Sequence, residues 1–430
     1  MNTIPFVIFT KTQTLSMTIH NKTHISRENK LMIGSFIISL LVLFYKRPDS
    51  FYHSQFWAEE GVVFFAEAYH EGFSSLYNTC AGYFHLYPRL IACFSVAVGL
   101  PLHIAPFVFC YSWLLVFFIL LYYIWKRLPY SDIQRFFIAI CVSLIPTQSE
   151  IIMNLTNLQW TMVLFPIIIF SSTNFDKNKK WFYADLLFLF LSGFTGPNYT
   201  VLLPLFLFSV FIQRHQFKND KRKTISYLLV ISIGIIGAIA LSGNGNINRT
   251  EGEFTLFNEG FIHYLFVQYW FLLLGKFALN LPFVIMTIGV VAVFIYMLVL
   301  VLKIHKSNTN LFPILSFYCG TLFLITTLIA YRNEPSLLDP YYRGVRNFYI
   351  PALMFMWVFI SVLYENKSTH TGLSLIFIGF LIQTILFVKP FSFEDNQLRT
   401  YSGKIHTQDT LSIPVNPSGW YIRIDNRNVK

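Results

Sequence analysis

The chain has 430 residues, of which 55% are hydrophobic and only 12% are charged, and its mean hydropathy is +0.54. A soluble protein carries roughly a quarter charged residues, so this chain has too little polar surface for a globule in water, and the same numbers exclude a disordered or collagen-like chain. The informative property of the net charge of +11 is therefore on which side of a membrane the charged residues lie. The composition predicts a polytopic membrane protein.

Eleven apolar stretches are predicted to cross the membrane as helices, which makes the fold class all-α. Several are shorter than the roughly 20 residues that a perpendicular helix needs, so flanking aromatic residues or local bilayer thinning must close the gap. The first stretch lacks a small-residue cleavage site after it and is interpreted as a signal anchor. The predicted spans are 31–45, 104–125, 136–146, 158–170, 183–194, 201–213, 225–241, 281–302, 311–330, 348–363 and 373–388.

The charge distribution predicts the orientation. With the N-terminus in the cytoplasm, the cytoplasmic segments carry 18 of the 32 Lys and Arg residues, while 15 of the 21 acidic residues lie on the other side. Lys and Arg in short loops set orientation, so the basic charge is a topology signal and no nucleic acid is expected as a partner. The predicted organisation is a cytoplasmic segment 1–30, a membrane domain 31–388 and a periplasmic C-terminal tail 389–430.

The predicted periplasmic side contains long segments besides the tail, at 46–103 and 242–280. Within the first, residues 86–103 are interpreted as a helix on or dipping into the outer leaflet. The alternative is a short twelfth span, with 136–146 then a re-entrant loop. In the tail, LSIPVNPSGWYIRI has the turn-forming NPSG between two alternating stretches, which is typical of a small β-hairpin.

The first candidate for chemistry is FWAEEGVVFFAEAYHEG, residues 56–72. At helical spacing Glu60 shares a face with Glu67 and Glu71, while Glu59 points elsewhere. Glu59 and Glu60 are expected at the lipid boundary, where desolvation raises the pKa of a carboxyl group and makes it a competent general base. The alternative is a solvated acidic helix that rests on lipid headgroups.

The second candidate is SEIIMNLTNLQW, residues 149–160, on the same predicted side. Glu150, Asn154 and Asn157 lie within about two helical turns of one another, and ionisable residues at a membrane boundary are costly and often functional. We therefore predict that the two asparagines bind substrate. The alternative is helix capping, since Asn is a preferred N-cap residue.

The third candidate is YRNEPSLLDPYYRGVRNFYIP, residues 331–351. Arg343 and Arg346 suit bidentate recognition of a phosphate, and Tyr342 suits stacking on a sugar. We predict that all three bind substrate. Snorkelling of the arginines to lipid phosphates is the alternative.

The fourth candidate is AGYFHLYPRL, residues 81–90, in which His85 and Arg89 are predicted to bind substrate. The alternative for the histidine is an ordinary hydrogen bond at the membrane interface. All four candidates fall on the same predicted face of the membrane. Together, the acids could deprotonate an acceptor hydroxyl or hold a divalent cation, while the arginines bind a phosphate leaving group.

These residues resemble a known group of enzymes. Acids in a long outer loop after the first helix, followed by an acid between the third and fourth helices, are similar to the pattern of GT-C fold glycosyltransferases, which use lipid-phosphate-linked sugars. FWAEEG, AGYFHLYPR, NLTNLQW and IPVNPSGW resemble strings in bacterial membrane proteins of that type. The size and topology are similar to the bacteriophage-encoded serotype-converting glucosyltransferases that decorate O-antigen. Where related strings have Glu-Asp, this chain has Glu59–Glu60.

The resemblance implies a hexose transfer on the periplasmic face of the bacterial inner membrane. The donor would be undecaprenyl-phosphate glucose and the acceptor a hydroxyl of the lipopolysaccharide O-antigen repeat. Glu60 is implied as the general base, with Glu59 as the alternative, and Glu150 would orient the acceptor or share a cation. Arg343 and Arg346 would neutralise the phosphate. The resemblance leaves the cofactor open, with a divalent cation as the alternative to none, and no site for a soluble nucleotide sugar is expected.

Two other classes of polytopic protein are alternatives. A flippase or transporter of lipid-linked oligosaccharide would need ionisable groups or broken helices near the middle of the membrane. The strongest helix breaker, TGPNYT at 195–200, is interpreted as an outer turn between short helices. An O-antigen polymerase would be expected to concentrate function in two large basic outer loops, whereas the first large outer loop of this chain is acidic.

Overall fold

The computed structural model of the chain is mostly helical. It describes residues 26–145, 150–172, 179–214, 220–243, 311–331, 345–363, 390 and 392–428, with scattered positions between 281 and 299 and residues 379 and 382. The predicted spans 281–302 and 373–388 lie largely outside the described residues. Tyr342 and Arg343, and nearly all of 242–280, also lie outside them.

The continuous α-helices are numbered in chain order. They are α1 (Arg27–Lys46), α2 (Asp49–Tyr52), α3 (Ala66–Glu71), α4 (Leu86–Ala97), α5 (Ala105–Arg127), α6 (Asp132–Leu144), α7 (Gln159–Met162), α8 (Leu164–Ser171), α9 (Lys179–Gly193), α10 (Asn198–Ile212), α11 (Lys221–Gly243), α12 (Phe312–Ala330), α13 (Tyr349–Leu363) and α14 (Leu398–Ser402). The strands are β1 (Thr79–Cys80), β2 (Tyr83–Phe84), β3 (Thr410–Val415) and β4 (Trp420–Asp425). A π-helix spans Glu60–Phe65, and 3₁₀-helices span Gly72–Tyr77, Thr156–Leu158, Val345–Phe348 and Asn426–Asn428.

Four of the described helices, α1, α5, α11 and α12, are long and apolar enough to cross a membrane. Large apolar side chains on their outer faces are exposed, as Leu41 of α1 and Leu228 and Ile239 of α11 show. An exposed apolar surface of this kind suits contact with lipid rather than water. These helices could span a membrane, and each coincides with a predicted span.

Helices α6, α9, α10 and α13 also coincide with predicted spans, but they contain only 13 to 15 residues. The predicted span 158–170 consists of α7 and α8, which a single turn residue, Val163, separates; its N–H still bonds to the carbonyl oxygen of Gln159 at 3.1 Å. Pro166 lacks the N–H that would bond to the carbonyl group of Met162, so the helix restarts with the proline in its first turn. The apolar pattern alone did not reveal this break.

Ion pairs gather at one end of the helices. Lys126 Nζ lies 3.0 Å from Glu28 Oε1, and Arg135 Nη1 lies 3.6 Å from the same oxygen. Arg127 and Asp185 form a buried ion pair that links the end of α5 to α9. The beginnings of α1 and α6 and the first half of α9 therefore lie beside the end of α5, which agrees with the prediction that 1–30, 126–135 and 173–182 share one side.

The opposite end carries the segments that were predicted to lie outside. Lys46 Nζ donates to the carbonyl oxygens of Ser143 at 2.6 Å and Ile145 at 3.0 Å, which satisfies carbonyl groups at the C-terminus of α6. Arg47 Nη1 donates to the carbonyl of Ile152 at 3.2 Å. The first outer loop and the 150–157 loop are thus joined directly.

The C-terminal tail contains the predicted β-hairpin. Strands β3 and β4 pair antiparallel from Thr410↔Asp425 to Val415↔Trp420. Ile413 and Ile422 are fully buried on one face of the hairpin, which packs against the π-helix. The helix predicted within 86–103 is also present as α4.

Candidate functional site

A cavity of about 370 Å³ lies at the end of the helices where the predicted outer segments meet. Its wall contains both polar and apolar side chains. The polar ones include Glu59, Tyr83, His85, Asn157, Trp160 and Arg346. Helices α10, α11 and α12 contribute the apolar Val201, Leu241, Phe323 and Ala330 and the hydroxyl-bearing Thr326 and Thr327.

Glu59 and Glu60 have different environments although they are adjacent. Glu59 is partly exposed and lines the cavity, whereas Glu60 is buried and is not among the described residues of the wall. Glu60 Oε2 accepts a hydrogen bond from Trp57 N at 2.9 Å, and Oε1 accepts one from Leu155 N at 2.5 Å. The geometry therefore favours Glu59 over Glu60 as a base for a ligand in this cavity, since both oxygens of Glu60 bind the backbone.

Burial raises the pKa of Glu60 to about 7. The hydrogen bonds from the backbone of Trp57 and Leu155 and the charge of Arg47 act in the opposite direction and only partly offset the desolvation. The predicted rise in the pKa of a carboxyl group thus occurs at Glu60, but its cause is burial in protein. Phe64 and Phe65 of the same segment are also buried in the core of the protein.

The other acids predicted on the face of Glu60 bind polar neighbours. Glu67 Oε2 accepts from Arg89 Nη1 at 2.6 Å and from Asn78 Nδ2 at 2.7 Å, and Glu71 Oε2 accepts from Asn78 Nδ2 at 2.9 Å. The chain follows a π-helix from Glu60 to Phe65, so the offsets counted along one α-helix did not apply across the whole segment. Glu60 is buried, and a fully solvated acidic helix is therefore wrong for it.

Arg346 and Glu150 meet at the cavity. Arg346 Nη1 lies 3.3 Å from Glu150 Oε2, and their side chains are 38% and 19% exposed. Arg346 lines the wall, and the neighbouring Asn347 does so as well. The structure thus brings together residues from two of the predicted candidates, 149–160 and 331–351.

The two predicted asparagines support the loop that carries Glu150. The Nδ2 atoms of Asn154 and Asn157 each donate to the carbonyl of Glu150 at 3.0 Å. Asn154 Oδ1 accepts from the backbone N–H of Asn157 at 3.3 Å. The N-cap positions of the helical segments 156–158 and 159–162 are Leu155 and Leu158, so neither asparagine is the predicted N-cap residue. Asn157 also lines the cavity, where it remains a candidate for substrate binding.

His85 lies in the polar wall, and Arg89 lies behind it. The His85 ring packs between Phe64 and Tyr83, with ring centroids 5.0 and 4.6 Å away. Burial and the nearby Arg89 charge lower the pKa of His85 to about 3, so the ring is neutral. Arg89 is fully buried, bound to Glu67, and not among the described wall residues. Its predicted contact with substrate stays a prediction that this cavity does not support, because its buried charge pairs with Glu67.

Residues of the C-terminal tail contact the segment that carries Glu59. The sequence analysis did not predict these contacts. The ring of Trp57 stacks on the ring of Phe393, with centroids 4.9 Å apart. The Arg47 guanidinium lies over the same Phe393 ring, 3.9 Å from its centroid. Asn416 N donates to Phe56 O at 3.2 Å, and Asn416 O accepts from Ala58 N. We call these contacts the tail clamp.

The tail clamp stabilises an unusual backbone conformation. Ala58, directly before Glu59, has a φ of +38°, which is uncommon for a residue with a Cβ. The Asn416 side chain is anchored in turn, since its Nδ2 donates to Glu394 O at 2.9 Å and its Oδ1 accepts from Glu394 N at 3.0 Å. The tail is thus part of the site and not an independent appendage.

Neither a metal centre nor a known relative identifies the site. Among the described residues, no group of three or more His, Cys, Asp and Glu side chains is arranged to hold a metal ion. No protein-family model matches the chain, and no curated protein matches it either. The functional interpretation therefore depends on the chemistry of the cavity and on the sequence resemblance.

Proposed function

We propose that the protein is a GT-C type membrane glycosyltransferase that moves a hexose, with glucose expected, from undecaprenyl phosphate to a hydroxyl of the O-antigen repeat. The observation that supports this most directly is the mixed lining of the cavity. A carboxylate and a guanidinium, from Glu59 and Arg346, line it together with apolar side chains of α10, α11 and α12. A lipid-phosphate sugar likewise has both polar and apolar groups.

The donor would enter from the membrane with its polyprenyl chain along Val201, Leu241 and Phe323. Its phosphate would then bind Arg346, because a guanidinium donates hydrogen bonds to phosphate oxygens in a planar, bidentate geometry. Glu150 holds Arg346 in position through the contact at 3.3 Å. Arg343 and Tyr342 complete this part of the proposal on sequence grounds.

The acceptor would bind beside Glu59. Its hydroxyl proton passes to the Glu59 carboxylate as the oxygen attacks the anomeric carbon, and the bond from that carbon to the phosphate oxygen breaks. The phosphate keeps the electron pair and is neutralised by Arg346, and the anomeric configuration inverts. A positioned base contributes roughly 10²–10⁴-fold to the rate. Glu60 binds the backbone N–H groups of Trp57 and Leu155 and is a positioning residue.

We also propose the number of membrane spans and the sides on which the two termini lie. Eleven spans, an N-terminus in the cytoplasm and a periplasmic tail in the bacterial inner membrane place the cavity on the periplasmic side, where serotype conversion by phage enzymes of this type occurs. The separation of basic contacts around Glu28 from the cavity at the other end of the helices supports this orientation. The positive-inside rule gives its direction.

The test is expression in a host with a defined O-antigen and a system that makes undecaprenyl-phosphate glucose, followed by mass and linkage analysis of the polysaccharide. A gain of one hexose per repeat is expected. Unchanged sugar composition with altered chain length would instead support an O-antigen polymerase. Loss of surface polysaccharide without a change of its composition or chain length would support a flippase or transporter.

A further inference from the structure

We infer that one part of the cavity wall is a subsite for the transferred sugar, and that it recognises hydroxyl groups of an uncharged hexose through His85, Thr156 and Trp160. This inference rests on the proposed function, and it adds which residues bind the sugar as opposed to the phosphate or the lipid. All three residues line the cavity. None was placed in the catalytic steps above.

The three side chains share one property. His85 Nδ1, Thr156 Oγ1 and Trp160 Nε1 are buried and have no hydrogen-bond partner among the described residues. Buried polar groups in folded proteins nearly always have a partner, and each exception needs an explanation. A ligand in the cavity provides one explanation for all three, since these atoms belong to residues of the same wall.

The chemistry of the three groups favours hydroxyls over charged groups. His85 is 2% exposed, and its hydrogen bond with the Tyr83 backbone offsets only part of the lowering of its pKa by burial and by the Arg89 charge, so the imidazole is neutral. A neutral imidazole nitrogen either donates or accepts, a threonine hydroxyl does both, and an indole N–H donates. A sugar hydroxyl can both donate and accept, so it satisfies each of them without burying an unpaired charge.

Two of these side chains are held rigidly. The His85 ring is packed between two aromatic rings. Trp160 packs edge-on against Phe323, with centroids 5.9 Å apart. Groups that are fixed before the ligand binds lose little conformational entropy on binding, so their hydrogen bonds discriminate well between substrates.

The test uses the purified full-length protein in nanodiscs and two probes, undecaprenyl phosphate and undecaprenyl-phosphate glucose. The measured quantity is the ratio of their Kd values, which isolates the contribution of the sugar. We expect the wild-type protein to bind the glucosylated lipid at least about tenfold more tightly, since several added hydrogen bonds each contribute a few-fold.

The variants Thr156→Val, Trp160→Phe and His85→Phe remove the polar atoms and keep much of the shape. Each should reduce the ratio several-fold and leave the Kd of undecaprenyl phosphate unchanged. Thr326→Val is the matched control, because Thr326 also lines the cavity but its hydroxyl already donates to Leu322 O at 2.9 Å. Its ratio should equal that of the wild type.

The outcomes separate the two proposals. A wild-type Kd ratio near one would overturn the sugar subsite, and so would a ratio that none of the three variants changes. Neither result would contradict the proposed site for the lipid phosphate. Equal weakening of both probes would also overturn it, because the variants would then act on the lipid or on the fold. Failure of the wild-type protein to bind either probe would contradict the proposed function itself, and the subsite with it.

Discussion

Glu150 and Arg346 are 196 residues apart in the chain, yet Arg346 Nη1 lies 3.3 Å from Glu150 Oε2 at the cavity. The contact joins the 150–157 loop to the 3₁₀-helix that precedes α13. Since both side chains are partly exposed, the pair contributes little to stability by itself. Arg346 can therefore take an anionic ligand as a second partner.

The first prediction concerns the phosphate. Arg346→Gln should weaken binding of undecaprenyl phosphate by about tenfold or more, because it removes a charged hydrogen-bond donor from the cavity. Glu150→Gln should have a smaller effect, since it removes only the residue that orients the arginine. The measurement is the Kd in nanodiscs, with Arg399→Ala on the exposed part of α14 as the control. Equal losses in Arg346→Gln and Arg399→Ala would indicate non-specific attraction of the lipid.

The second prediction concerns the pH dependence of stability. The pKa of Glu60 is raised from 4.5 to about 7 in the folded protein, so the folded state binds more protons than the unfolded state between these values. The contribution of Glu60 is fully present below pH 4.5 and is lost as the pH rises through about 7. The whole change is about 3 kcal/mol for a shift of this size.

Thermal unfolding of the protein in nanodiscs between pH 4.5 and 8 measures this change. Glu60→Gln should remove the pH-dependent part. It should also lower stability by about 1–3 kcal/mol at low pH, because the amide NH₂ group would face one of the backbone N–H groups of Trp57 and Leu155. Glu394→Gln, at an exposed side chain, is the control and should keep the wild-type profile. An identical profile in Glu60→Gln would contradict the assignment.

The third prediction concerns the tail clamp. Asn416→Ala removes both side-chain hydrogen bonds to Glu394. It should cost about 1–3 kcal/mol, because one such bond contributes roughly 0.5–1.5 kcal/mol. Limited proteolysis should then cleave the tail faster, and hexose transfer should fall because Glu59 is no longer held. Asn396→Ala is the control, since Asn396 makes only a longer bond of 3.3 Å from its side chain. Unchanged transfer with a cleaved tail would show that the clamp does not position the site.

The sequence predicted the helices better than their ends. Apolar stretches located α1, α5, α11 and α12 because lipid-facing and core-facing residues are both apolar in such helices. Pattern alone could not locate the break at Val163 or the π-helix from Glu60 to Phe65. Both depend on local backbone hydrogen bonds and on packing against distant segments.

The candidate site was predicted in part. Charge and side-chain type selected Glu59, Glu150, His85 and Arg346, which line or adjoin one cavity. Residue spacing could not show which of Glu59 and Glu60 is the better candidate base. The answer depends on the bond from the backbone N–H of Leu155 to Glu60, two residues that are 95 positions apart in the chain. Phe393 stood in no motif, and only its stacking on Trp57 reveals its importance.

Hexose transfer by Glu59→Gln tests the account most directly. Glu59 lines the cavity, and the substitution keeps its size while removing the base. In proteoliposomes with labelled undecaprenyl-phosphate glucose and O-antigen acceptor, wild-type protein should add one hexose per repeat. The variant should retain binding of the donor and lose at least about 100-fold in transfer rate. Wild-type transfer by Glu59→Gln, or no transfer by the wild-type protein with this donor and acceptor, would contradict the account.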